Sequence, residues 1–261
     1  MIGAITGDIV GSVYEWHNIK TKDFPFFSSK GFVTDDSIMT IALADSILNN
    51  VDYEKNMVRF YQLYPNAGYG GSFRRWCQDP SRTPYNSWGN GAAMRISPVG
   101  FAYDSLEEVL KKAEEFTVIT HNHEEGIRGA KVTAGCIFLA RAGETKDYIR
   151  EFCESMGYPM KQTLDEIRPS YRFDVSCQGT VPWSVQAFLE GDSFEDCIRN
   201  AISIGGDSDT LACITGGIAE AFYRDLGTDT TNGVSIKEQT KCYLDSTLEP
   251  IVTAFVEKYV K

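Results

Sequence analysis

Two short acidic segments hold the residues whose types and spacing are best suited to chemistry. Residues 205–210 read Gly-Gly-Asp-Ser-Asp-Thr and lie directly ahead of an apolar stretch, and residues 34–36, Thr-Asp-Asp, also precede one. Carboxylates at the start of a buried helix are costly to desolvate unless a cation or the helix dipole compensates them. The simpler interpretation is a helix N-cap, for which a single Asp or Thr is enough. Residues 205–210 carry more acid than a cap requires.

The chemistry that these segments could perform is the binding of divalent cations. Their oxygen-bearing side chains are Thr34, Asp35, Asp36, Asp207, Asp209 and Thr210. Neither segment contains His or Cys, and oxygen donors favour Mg²⁺, Ca²⁺ or Mn²⁺ over zinc or copper. Four carboxylates carry enough charge for two such ions, and shared carboxylates can bridge ions about 3.5–4 Å apart. If the two helix starts face each other, the carboxylates repel one another strongly without metal. The sequence therefore predicts a two-metal site, against the alternative of two independent caps.

The elements that must position these segments are predicted to be helices, because apolar residues recur at helical spacing along most of the chain. The predicted helices cover residues 2–14, 38–48, 53–64, 105–118, 124–142, 145–156, 161–167, 181–189, 194–204, 211–222 and 235–259. Only residues 172–175 alternate as a strand does, which is too little for a sheet. Residues 68–91 are predicted to be an irregular connection of a length that is usually functional. We therefore predict one compact all-α domain over residues 1–261.

Composition and charge exclude several classes of protein. The formal net charge of -11 argues against a general nucleic-acid-binding surface, although a local anion pocket built from backbone N–H groups stays possible. No apolar stretch is long enough to span a bilayer, and the N-terminus lacks the basic region of a signal peptide. The seven cysteines are scattered and fit reduced thiols. We expect a cytoplasmic protein without a membrane partner.

Five short segments, taken in their order along the chain, can be compared with the motifs of known families. They read GDIVGSVYE at 7–15, TDDS at 34–37, GNGAAMR at 89–95, TH at 120–121 and GGDSDT at 205–210. Together they resemble the ADP-ribosylglycohydrolase family. The resemblance implies a many-helix orthogonal bundle with two Mg²⁺, or Mn²⁺, held by the six oxygen-bearing residues named above. It implies hydrolysis of the glycosidic bond at C1 of the distal ribose of ADP-ribose. The expected partner is an ADP-ribosylated protein or small-molecule conjugate, and we expect a monomer.

The same resemblance implies roles in substrate binding. The family segment that holds the diphosphate and ribose matches Ser87, Trp88, Gly89 and Asn90, and a family histidine near the diphosphate matches His121. Backbone N–H groups of glycine-rich loops can bind phosphate without added positive charge. The indole of Trp88 could stack on the adenine, the alternative being a tight turn with a core tryptophan. For His121 the alternative is a capping or core histidine.

For catalysis, Glu15 resembles a gating glutamate of the branch that removes ADP-ribose from serine and from poly(ADP-ribose). The alternative is an exposed loop acid. Either Glu15 or a metal-bound aspartate, Asp35 or Asp36, would handle the proton. Residues 68–76 depart from the family pattern and could shape the choice among serine, arginine, nucleobase and acetyl acceptors. Two other functions stay open: a binuclear-metal phosphohydrolase acting on ADP-ribose or nucleotides, and a non-catalytic ADP-ribose-binding protein.

Overall fold

The computed structural model describes residues 1–260, and its regular structure is helical. The helices are α1 (Ile2–Ser12), α2 (Asp35–Asn49), α3 (Tyr53–Leu63), α4 (Gly71–Gln78), α5 (Gly91–Met94), α6 (Ser97–Ala102), α7 (Leu106–Thr117), α8 (Glu124–Ala142), α9 (Lys146–Ser155), α10 (Leu164–Ile167), α11 (Cys177–Glu190), α12 (Phe194–Ser203), α13 (Ser208–Tyr223), α14 (Ile236–Lys241) and α15 (Leu248–Tyr259). Within residues 1–260 there are isolated β-bridges, Gly89 to Ser176 and Thr228 to Ser235, but no strand. The prediction of an all-α fold is confirmed.

The connection over residues 68–91 differs from its prediction, because it contains α4. Phe73, Trp76 and Cys77 have the i, i+3, i+4 spacing of one helix face, and all three are buried. Burial of this face stabilises a short helix in a segment whose glycines and prolines suggested irregular structure. The prediction of a wholly structureless connection was wrong.

The predicted helix over residues 235–259 is divided into α14 and α15. The carboxylate of Asp245 accepts hydrogen bonds from the backbone N–H groups of Thr247 and Leu248, at 2.8 and 3.0 Å. A side chain that bonds the backbone two and three residues further on favours a turn over a continuous helix. The two short helices α5 and α6 were not predicted, because four to six residues are too few to show a periodic pattern.

The packing of α1 against α13 sets the geometry of the acidic segments. A Cβ atom added at Gly11 on α1 would lie 2.4 Å from the Cα atom of Asp209, so only glycine allows the two helices to approach this closely. All eleven residues of α1 are buried, including the acid Asp8. This close contact brings an acid of α1 beside the segments that precede α2 and α13.

The hydrophobic core forms one large cluster that extends from Met1 to Phe255. This continuity supports the single domain expected from the sequence. The single domain and the monomer both stay predictions. All seven cysteines are free thiols, and only Cys242 is exposed. Within residues 1–260, no helix combines the length and apolar character that crossing a bilayer requires.

Candidate active site

The N-terminal ends of α2 and α13 border a cavity of about 590 Å³. Of the site residues predicted from the sequence, those that line it are Glu15, Thr34, Asp35, Asp36, Ser87, Gly89, Asn90, His121, Asp207, Asp209 and Thr210. Only Trp88, among the predicted residues, lies outside this lining. The structure therefore brings together segments that are up to 195 positions apart in the sequence, from Glu15 to Thr210.

The fully buried carboxylate of Asp8 organises the start of α2. Its Oδ2 atom accepts the backbone N–H groups of Thr34 (3.0 Å) and Ser37 (3.1 Å), and its Oδ1 atom accepts the hydroxyl of Thr34 (2.6 Å). The hydroxyl of Ser37 also donates to Oδ2. Burial raises the pKa of Asp8 to about 6, although these hydrogen bonds act to lower it. Asp8 lies within the segment 7–15 but was not predicted as a site residue, although an acid in an apolar helix is a signal that could have found it.

At α2 the cap and the acids have separate functions. The hydroxyl oxygen of Thr34 accepts the backbone N–H of Asp36 at 3.2 Å, so Thr34 is the N-cap. The Oδ1 atom of Asp36 is buried and has no hydrogen-bond partner within residues 1–260. Burial first, and then the charge of Asp209, raise the pKa values of Asp35 and Asp36 well above normal. The acids of this segment are therefore not needed to cap the helix.

At α13 the capping interpretation was wrong for Asp207. It occupies the N-cap position, but its side chain makes no capping hydrogen bond and instead accepts the side-chain amide of Asn90 at 2.7 Å. Gly206, just before it, has φ of 80°, a conformation that favours glycine. The Oδ1 atom of Asp209 is buried without a partner in the described chain. Burial raises the pKa of Asp207 to about 6, and burial together with the charge of Asp207 raises the pKa of Asp209 well above its usual range.

Glu15 completes a group of three carboxylates. One oxygen atom each from Glu15, Asp207 and Asp209 lies within 4.8 Å of the others. Burial, followed by the charge of Asp209, raises the pKa of Glu15 to about 7. Glu15 is partly buried and lines the cavity, so the alternative of an exposed loop acid was wrong.

The donor set fits a hard divalent cation. Two buried carboxylate oxygens, Oδ1 of Asp36 and Oδ1 of Asp209, lack hydrogen-bond partners in residues 1–260, and buried polar atoms are normally paired. Carboxylates that lie close together with raised pKa values bind a proton or a cation. The three grouped residues, Glu15, Asp207 and Asp209, offer only oxygen ligands, which hard divalent cations prefer. Asp35 and Asp36 line the same cavity but lie outside the group of three carboxylates.

The loop before α5 supports both the acids and the cavity wall. The side-chain amide of Asn90 donates to Asp207 and to the hydroxyl of Thr180 (3.1 Å), so this amide is committed to the protein. The hydroxyl of Ser87 accepts the backbone N–H of Gly89 at 3.1 Å. The roles of these residues in holding a substrate stay predictions.

Trp88 belongs to the same loop and is exposed to solvent. Its side chain is 52% exposed and packs against the ring of His123, with centroids 5.8 Å apart. The alternative of a core tryptophan was therefore wrong. The imidazole of His123 is the N-cap of α8, where Nδ1 accepts the backbone N–H of Glu125 at 3.1 Å.

His121 is buried and faces the cavity. Burial first, and then the charge of Arg95, lower its pKa well below normal, so the ring is neutral. Its Nδ1 atom lies 2.8 Å from the hydroxyl oxygen of Thr120. The guanidinium of Arg95 is also buried and lines the cavity. Arg95 lies within the segment 89–95 but was not predicted as a site residue.

The exposed side of the cavity is apolar. Trp16 is 74% exposed and stacks on Phe173, with centroids 5.3 Å apart, and both line the cavity together with Val175. Residues 70–73 also contribute to the lining. Arg74 does not line the cavity, and its Nε atom donates to the carbonyl of Tyr69 at 2.8 Å.

The fold and the site together define a class: an all-helical protein that gathers carboxylates able to bind a cation at the starts of two buried helices. The family model described as ADP-ribosylglycohydrolase matches residues 1–227, so the chain belongs to the ADP-ribosylglycohydrolase family.

Relatives agree with this assignment. The chain is 27% identical to ADP-ribosylhydrolase ARH3 of Homo sapiens, over 85% of this chain and 84% of that protein. It is 25% identical to ADP-ribosylarginine hydrolase Tri1 of Pseudomonas putida (strain GB-1), over 85% of this chain and 69% of that protein. A solved structure described as an ADP-ribosylglycohydrolase-related protein complex has a TM-score of 0.71 over 98% of this chain and 96% of that chain. At 23% identity, this last likeness shows the fold alone.

Proposed function

We propose that this protein removes ADP-ribose from a modified side chain or small acceptor by hydrolysing the glycosidic bond at C1 of the distal ribose. The observation that carries the proposal is the group formed by Glu15, Asp207 and Asp209 in a chain of this family. The names of the human and bacterial relatives, which describe ADP-ribose hydrolases, support it. The substrate would be an ADP-ribosylated protein or a small ADP-ribose conjugate.

The proposed cofactors are two divalent ions, Mg²⁺ or Mn²⁺. The residues that would hold them are Thr34, Asp35, Asp36, Asp207, Asp209 and Thr210. Two unpartnered carboxylate oxygens among these residues support this choice. When bound, such ions supply positive charge that orients the ribose hydroxyls and stabilises an oxocarbenium-like transition state.

The protein's own residues would manage the proton and the geometry. Hydrolysis breaks the bond from C1 to the acceptor, delivers the hydroxyl of water to C1 and delivers a proton to the acceptor. A carboxyl with a pKa of about 7 can both accept and donate a proton near neutral pH, which favours Glu15 over Asp35 or Asp36 for this step. The amide of Asn90 would keep Asp207 oriented, and Asp8 would keep the start of α2 in place.

The experiment is a product analysis on a panel of conjugates. Serine-, arginine- and O-acetyl-linked ADP-ribose are incubated with the purified protein, with Mg²⁺, Mn²⁺ or a chelator. Metal-dependent release of intact ADP-ribose from any of them supports the proposal. Release of AMP or phosphate would instead indicate a binuclear-metal phosphohydrolase, and tight ADP-ribose binding without turnover would indicate a binding protein.

A further inference from the structure

Three buried polar groups form a chain that ends at the cavity. One guanidinium nitrogen of Arg95 donates to the hydroxyl oxygen of Thr120 at 2.7 Å, and that oxygen lies 2.8 Å from Nδ1 of His121. Arg95 is 1% exposed, Thr120 is fully buried and His121 is 5% exposed. Water is therefore largely excluded from the chain, and its hydrogen bonds have to be satisfied by the three side chains themselves.

The direction of these hydrogen bonds follows from the chemistry of Arg95. A guanidinium carries only donors, so the oxygen of Thr120 must accept from it. The hydroxyl then has one proton to donate, and Nδ1 of His121, at 2.8 Å, is a side-chain acceptor within reach. If Nδ1 accepts, it carries no proton. In a neutral imidazole the proton is then on Nε2.

The Nε2 atom faces the glycine loop that precedes α5. A Cβ atom added at Gly91 would lie 3.2 Å from Nε2, and one added at Gly89 would lie 3.7 Å away. Both glycines and His121 line the cavity. Within residues 1–260 Nε2 has no hydrogen-bond partner, so an N–H group at this atom would be directed to a ligand.

We propose that Arg95 and Thr120 are positioning residues that fix His121 in the Nε2–H form, so that its ring donates a hydrogen bond to a diphosphate oxygen of the ligand beside Gly89 and Gly91. The opposite tautomer would present a lone pair to that oxygen and repel it. The tautomer is inferred from the hydrogen bonds that join Arg95, Thr120 and His121, whereas the contact with a diphosphate rests on the proposed function.

Arg95 has a feature that agrees with this role. Arg95 takes part in none of the ion pairs within residues 1–260, and its Nε atom is buried without a hydrogen-bond partner there. Buried charges are normally paired, because burial of an unpaired charge is costly. The guanidinium of Arg95 does not lose its proton, so it acts only as a hydrogen-bond donor towards Thr120. This fixed direction of the first hydrogen bond is what a fixed tautomer of His121 requires.

The tautomer can be measured directly by long-range ¹H–¹⁵N NMR of the imidazole nitrogens in the whole 261-residue chain without ligand. The chain has only three histidines, so His17→Gln and His123→Gln variants assign the remaining signals to His121. The expected result is a protonated Nε2 and an unprotonated Nδ1 in His121. A protonated Nδ1 would overturn the proposal, whatever the enzyme's activity.

Two substitutions of Thr120 then test the positioning role. Thr120→Val removes the donor to Nδ1, and we expect a mixture of tautomers and an ADP-ribose affinity about twofold lower, since only about half of the protein then holds the Nε2–H form. Thr120→Ser keeps the hydroxyl and should restore both. Adenosine, which has no diphosphate, should bind the Val and Ser variants equally well.

The outcomes separate the two parts of the proposal. An equal loss of adenosine and ADP-ribose affinity in Thr120→Val would show a general structural defect and overturn the positioning role. A wild-type protein with Nε2–H that does not bind ADP-ribose would leave the tautomer established and overturn the diphosphate contact together with the proposed function. The NMR measurement on the wild type does not depend on the folding of any variant.

Discussion

The side-chain amide of Asn18 pairs in both directions with the backbone of Gly206. The backbone N–H of Gly206 donates to Oδ1 of Asn18 at 2.7 Å, and Nδ2 of Asn18 donates to the carbonyl of Gly206 at 2.9 Å. The same Nδ2 atom also reaches the carbonyls of Tyr14 (2.8 Å) and Glu15 (2.9 Å). One side chain therefore ties the turn that carries Glu15 to the loop that precedes Asp207.

Asn18→Ala should impair turnover more than substrate binding. Without the amide, the turn that carries Glu15 is no longer tied to Gly206, and misplacing a catalytic group by about 1 Å costs on the order of 100-fold in rate. We expect kcat to fall about 10- to 100-fold with little change in KM. Asn49→Ala, at an exposed position at the end of α2, is the matched control and should leave both constants unchanged. A KM effect with normal kcat would show that Asn18 does not act through Glu15.

Neutralising one central acid should stabilise the metal-free protein. Asp209 lies among buried carboxylates that raise one another's pKa values, so Asp209→Asn removes repulsion. In a chelator we expect the melting temperature to rise by about 2–4 °C, which corresponds to about 1 kcal/mol for a protein of this size. Added Mg²⁺ should stabilise the wild type and not the variant. Asp147→Asn, an exposed acid on α9, should behave as the wild type. A variant that melts lower in chelator and still responds to Mg²⁺ would contradict the assignment.

Stability without metal should fall as the pH rises from 5 to 7. The folded-state pKa values of Asp8 and Asp207 are raised to about 6 and that of Glu15 to about 7, above their unfolded values, because the groups are buried. Across this window the folded state binds more protons than the unfolded state, so raising the pH favours unfolding. Melting curves in chelator and in Mg²⁺ measure this. The downward slope should be smaller with Mg²⁺, and equal slopes would show that no ion binds beside these acids.

The exposed indole of Trp88 should contribute to binding the adenine. Stacking is worth about 0.5–1.5 kcal/mol, so Trp88→Ala should weaken ADP-ribose binding about two- to tenfold, and Trp88→Phe should restore most of it. Ribose 5-phosphate, which lacks adenine, should bind equally to all three proteins in calorimetry. The control is Tyr148→Ala, at an exposed aromatic on α9. Equal affinities of Trp88→Ala and wild type for ADP-ribose would show that Trp88 only packs against His123.

The parts of the site that could be predicted from the sequence are those that leave a pattern among neighbouring residues. Helix α8 begins and ends where its pattern predicted, and the acidic segments 34–36 and 205–210 do line one cavity. Asp8, Asn18 and Arg95 were missed as site residues, because their functions depend on partners between 25 and 188 positions away. Such partners are set by tertiary packing, which no local periodicity reports.

The central claim is that a metal-dependent acidic centre releases ADP-ribose, and the most direct measurement compares the wild type with Asp207→Ala and Asp209→Ala. Each protein is incubated with the conjugate that the wild type cleaves best, with and without Mg²⁺, and released ADP-ribose is quantified. We expect metal-dependent release by the wild type, with turnover abolished and metal binding weakened in both variants. Release that persists in both variants would contradict it.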